Sequence, residues 1–93
     1  MTSGEQRLVA RIRGGEPAAL SELYDLFGSA VYEVALRLTS DAEAAEGITQ
    51  SLFTSVWRDA WAVLPRADGT VGLRARLLAR CGQLALRWGR TAS

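Results

Sequence analysis

Histidine and lysine are both absent from this 93-residue chain, and cysteine occurs once, at Cys81. Without histidine the chain lacks the side chain most often used for proton transfer and metal ligation near neutral pH. A single cysteine rules out an internal disulfide and fits a reducing compartment. No apolar run approaches the roughly 20 residues that span a bilayer. The opening MTSGEQRLVARIRGG carries charges where a signal peptide needs an apolar core. The expected address is therefore cytoplasmic, without membrane contact. No stretch alternates with period two for long enough to make a strand, and there is no internal repeat or low-complexity segment. Nor is there a Walker-type loop or a metal-ligand cluster. Enzymatic chemistry has little to stand on, and no catalytic residue, metal or cofactor is expected. Cys81 falls on an apolar helix face, where a thiol is ordinarily inert packing. Glu43 and Glu46 sit one turn apart at a helix start, which capping explains without catalysis.

What the chain does have is apolar periodicity and a lopsided charge. The apolar fraction of 48% argues against disorder, and the length allows one domain over residues 1–93, with its core at about 16–90. All eleven cations are arginine, a bias that GC-rich coding alone can produce. Their distribution is more informative. Residues 1–70 hold ten acids against six arginines, a net of −4, whereas residues 71–93 hold five arginines and no acid. A total near zero hides a molecule with a basic C-terminal end.

Four helices follow from the spacing. Glu5–Arg13 is short, with Leu8, Val9 and Ile12 on one side, and Gly14-Gly15 ends it. Pro17 suits the first position of the next helix, where a missing N–H costs nothing. Leu20, Leu23, Tyr24, Phe27, Val31, Val34, Ala35 and Leu38 then recur at three- and four-residue steps, with Gly28-Ser29 as a point where the helix bends or breaks. Ser40-Asp41-Ala42-Glu43 reads as a Ser-x-x-Glu capping box. A third helix follows over about Asp41–Ala60, with Ala45, Ile48, Leu52, Val56 and Ala60 inward. Leu64–Thr70 is a loop by its proline and Asp-Gly pair. A fourth helix spans about Val71–Trp88, with Leu73, Leu77, Cys81, Leu84 and Trp88 inward. The expected fold is all-α: a compact bundle of three long helices plus a short N-terminal one.

Two surfaces stand out on helical wheels. Arg76, Arg80, Gln83, Arg87 and Arg90 fall within an arc of roughly 80° on the last helix. Guanidinium groups pair bidentately with phosphate and stack on bases, so such a row can track a nucleic-acid backbone. It can equally be a solvated face that complements the helix dipole. On the third helix Glu46, Gln50, Phe53 and Trp57 lie side by side, with Thr54 and Trp61 adjoining. Aromatics among polar groups suit a partner interface, or Phe53 and Trp57 widen the core contact. Tyr24 and Tyr32 read as core.

The order of these features resembles region 2 of the bacterial sigma-70 family, most closely its small extracytoplasmic-function (ECF) group. The matching pieces are Ala19–Tyr24, Val31–Leu38, Asp41–Glu46, Gln50 with Phe53, Val56-Trp57-Arg58, and Leu77-Leu78-Ala79 leading into the arginine row. The resemblance covers about residues 12–90. It implies an all-helical module that docks on core RNA polymerase and contacts the −10 element of promoter DNA. Glu46, Gln50, Thr54, Trp57 and Arg58 would lie at the polymerase contact. Arg76, Arg80, Gln83, Arg87 and Arg90 would face DNA. Leu64, Pro65, Arg66, Asp68, Gly69 and Thr70 would form a loop that holds a flipped base. The chain departs from the family where Asp-x-x-Gln-Glu is usual, having Gly47-Ile48-Thr49-Gln50-Ser51 instead. It also has Arg76, Gln83 and Arg87 where the family usually carries tryptophan, asparagine and aspartate. No helix-turn-helix follows before Ser93, so the expectation is a fragment of a longer sigma factor or a lone, diverged domain. Loss of the two acids leaves a second reading open: a sigma-like module that binds a protein such as an anti-sigma factor and does not recognise a promoter.

Overall fold

The computed structural model describes residues 4–59 and 72–92, with residues 89–92 as helix backbone only. Four helices make up the described residues, and no strand occurs among them: α1 (Gly4–Arg13), α2 (Pro17–Thr39), α3 (Ala42–Arg58) and α4 (Leu73–Ala92). The fold class matches the expectation from periodicity.

Local chemistry sets the turns. After α1 the Gly15 N–H donates to the carbonyl of Ile12 at 2.9 Å, and the Glu16 N–H donates to that of Arg11 at 3.1 Å. This Schellman pairing needs a left-handed residue, and Gly15 supplies it at φ 84°. Pro17 then opens α2 as the spacing predicts. The helix runs through Gly28 without a break, and that glycine is buried beside the Tyr24 ring. Arg11 ties α1 to the start of α2 through Glu16 at 2.7 Å and Glu22 at 2.6 Å.

The turn between α2 and α3 corrects the capping-box expectation. Asp41, not Ser40, is the N-cap: its Oδ1 accepts from the N–H groups of Glu43 (3.0 Å) and Ala44 (3.3 Å). Ser40 instead closes α2 in the left-handed region at φ 55°, its N–H donating to the Leu36 carbonyl at 2.7 Å. A carboxylate is the stronger acceptor next to the positive helix end, so it takes the cap.

α2 is the central helix and packs against each of the other three, and α3 also meets α4. Leu23, Val31, Leu52, Val56, Leu73, Leu77 and Cys81 are fully buried in one cluster, which Leu8, Val9 and Ile12 of α1 enter from before residue 16. The Cys81 thiol donates to the Val31 carbonyl across α2 and α4 at 3.5 Å, and burial pushes its pKa up. Phe53 is core, with the edge of Tyr24 against it at a 5.0 Å centroid distance. Two expectations change here. Tyr24 is 50% exposed and Leu38 57% exposed, because α2 is long enough to leave part of its apolar surface uncovered.

One contact joins the ends of the fold. The N–H of Leu73, the first residue of α4, donates to Glu5 Oε1 of α1 at 3.1 Å. An otherwise orphaned donor at a helix start is thus met by a carboxylate from the other end of the chain.

Candidate nucleic-acid and partner interface

α3 and α4 line a common groove, later α3 residues facing the start of α4 and earlier α3 residues facing its later turns. The sequence places their polar residues on separate faces of separate helices, but the structure brings many of them into one groove. One part of it has a volume of about 810 Å³. From α3 come Gln50, Thr54 and Arg58, with Gly47, Ser51 and Ser55 at four-residue steps beside them. From α4 come Arg76, Ala79, Arg80 and Gln83, and Asp59 closes one end. An adjoining part of about 610 Å³ shares Gly47 and Ser51 and continues past Asp41, Glu43, Ile48, Leu84, Arg87 and Trp88.

The arginine row therefore lies on the flank of α4 that faces α3, not on the side opposite the core. The inward residues centre on Leu77 and Cys81, and the row sits about a quarter-turn or slightly more away from them. Arg76, Gln83 and Arg87 are exposed, and Arg80 is half-buried. Arg80 Nη1 donates to Gln83 Oε1 at 3.2 Å, while its Nε is buried without a hydrogen-bond partner. That unmet donor carries a desolvation cost on the order of 1–3 kcal/mol. The carboxylate of Asp59 shares a cavity wall with Arg76, and those of Asp41 and Glu43 share one with Arg87. The side chain of Arg90 and the whole of Leu64–Thr70 lie outside the described residues, as do Trp61 and Ala60.

The α3 residues expected at a polymerase contact split into two groups. Gln50, Thr54 and Arg58 line the groove. Glu46 and Trp57 are exposed but do not line it, and Trp57 leaves 43% of its surface free beside the buried Phe53. Sequence reasoning missed the groove's small residues. The signal was present in Gly47, Ser51 and Ser55, which repeat every four residues beside the buried seam. No described helix is long and apolar enough to cross a membrane, and no metal-holding group of acids or thiols occurs among the described residues.

The described residues thus form a small helical bundle with a polar, guanidinium-rich groove. Over 60 residues the chain is 35% identical to the ECF RNA polymerase sigma factor SigK of Mycobacterium bovis (strain BCG / Pasteur 1173P2), covering 64% of this chain and 32% of that protein. The SigK of Mycobacterium tuberculosis (strain ATCC 25177 / H37Ra) matches with the same identity and coverage. The chain thus contains a segment like that of an ECF sigma factor, and it spans about a third of the length of the curated relatives it matches. No family model matches the chain. No solved structure matches it either.

Proposed function

We propose that this chain is a sigma-factor-like transcription initiation module of the region 2 type, docking on core RNA polymerase and contacting the −10 promoter element. The observation that carries this reading is the 60-residue likeness to ECF RNA polymerase sigma factors. The work is binding rather than catalysis, and it belongs in the cytoplasm. Arg76, Arg80, Gln83, Arg87 and Arg90 contact the phosphates and base edges of a separated strand. Leu64, Pro65, Arg66, Asp68, Gly69 and Thr70 hold an unstacked base. Glu46, Gln50, Thr54, Trp57 and Arg58 meet the polymerase, with Trp57 supplying the large amphipathic contact that interfaces favour.

The setting of the arginine row favours a second reading as well. Arg80 is half-buried in a concave groove, a shape suited to a protein partner such as an anti-sigma factor. Fluorescence anisotropy with −10-like single strands separates the two readings. The first expects salt-sensitive binding that is lost in the Arg80→Ala, Arg87→Ala double variant, together with copurification of core RNA polymerase. Undetectable strand binding and no copurification sink it.

A further inference from the structure

We propose that α1 is a clasp: the docking of its apolar face decides whether the first turn of α4 is formed. The clasp operates without polymerase or promoter, so it stands apart from the transcription reading.

The start of α4 finds little support in its own sequence. Its first intrahelical bond runs from the Arg76 N–H to the Gly72 carbonyl at 3.1 Å, which makes Gly72 the N-cap residue. Glycine has no side-chain oxygen to offer the free N–H groups that follow. The first turn holds no acid, and Arg74 and Arg76 put positive charge where the helix dipole disfavours it. α3 is the contrast, because Asp41 caps it locally and Glu43 follows in its first turn. At α4 a carboxylate comes instead from Glu5, which accepts from the Leu73 N–H at 3.1 Å.

α1 is just as conditional. It has 10 residues, fewer than the roughly 12–15 at which an isolated helix becomes even marginal in water. Its helical form therefore depends on burying Leu8, Val9 and Ile12, which join Leu73 in the core cluster. Glu5 precedes Leu8 and Val9 by one helical turn and Ile12 by two, so its carboxylate lies on the same face. Docking that face delivers the carboxylate to α4, and lifting it takes the carboxylate away. The Arg11 pairs reach Glu16 and Glu22, so they tether α1 to the start of α2 and leave α4 untouched. Two pieces that are weak alone complete each other, and such a coupling acts in both directions. What it governs is the first turn of the helix that carries the arginine row, where Leu73 is buried and Arg76 is exposed.

Amide hydrogen exchange on the full chain tests the clasp, with the capped amides of Glu43 and Ala44 as internal reference. Ile12→Val trims the buried face of α1 and alters neither partner of the Glu5 contact. It should quicken exchange at Leu8 and Val9 and at Leu73 and Arg76 together, by about threefold or more relative to the reference. Glu5→Ala, a change at an exposed residue, should quicken the same four amides. Gly72→Asp has room, since a Cβ there meets nothing within 4 Å, and it supplies a local cap. In the Glu5→Ala, Gly72→Asp protein, exchange at Arg76 should return to within about twofold of wild type while Leu8 and Val9 stay fast. Adding Ile12→Val to that protein should then leave Arg76 unmoved. Three results overturn the proposal: a folded Ile12→Val protein that quickens α1 alone, a Glu5→Ala protein with Leu8 and Val9 unchanged, or an undiminished effect of Ile12→Val on Arg76 in the recapped background.

Discussion

Single side chains decide both the α2–α3 turn and the behaviour of the one thiol. Asp41 alone meets two N–H groups at the start of α3, and Ser40 sits in the left-handed region. Asp41→Ala should cost about 1 kcal/mol in urea unfolding. Ser40→Gly should be neutral or slightly stabilising, because glycine adopts that backbone without strain. A stabilising role for the Ser40 hydroxyl would appear as a loss in that variant. For Cys81 the folded pKa is raised by burial. The thiolate forms first in the unfolded chain, so the thiol's contribution is complete below the unfolded pKa, near 8.5, and declines above it. The protein should lose stability as pH rises above about 8.5, and Cys81→Ala should flatten that part of the pH profile. A thiol reagent should react slowly at neutral pH until denaturant is added. The residue scale was also where reading was least secure. Ser-x-x-Glu spacing at residues 40–43 is compatible with either cap, and only the backbone angles distinguish them.

Helices were the most legible objects, because burying one face imposes a period that any chain must show. The α1 seam, the Pro17 start, and the inward set of Leu73, Leu77 and Cys81 all lie where spacing puts them. Relations between helices were not legible. The arginine row was visible on its wheel, but which neighbour its flank would meet depends on how α3 and α4 both lean on α2. The Glu5–Leu73 contact belongs to the same class, since nothing local to either residue announces it. Glu5→Gln should weaken the cap on α4 and cost roughly 0.5–1.5 kcal/mol. Amide exchange over the first turn of α4 should quicken while the α2–α3 turn is unaffected. Unchanged exchange at Leu73 would show that the carboxylate does not hold that helix end in solution.

At the scale of the whole molecule, acids dominate residues 1–70 and arginines the last 23. The fold does not keep these halves apart. It brings the acidic helix α3 alongside the basic helix α4, and the groove inherits a basic end and a mixed end. If four arginines of α4 contact phosphates, the log–log salt dependence of strand binding should have a slope of about −3 to −4. A slope nearer −1 would mean that most of the row is engaged inside the groove and unavailable to a strand. The contact between Glu5 and Leu73 bridges 68 positions along the chain. On the ribosome, α1 is made first and yet cannot acquire this partner until the fourth helix has emerged. The molecule can therefore close only late in synthesis, and a stalled or shortened product would leave that early carboxylate waiting in water.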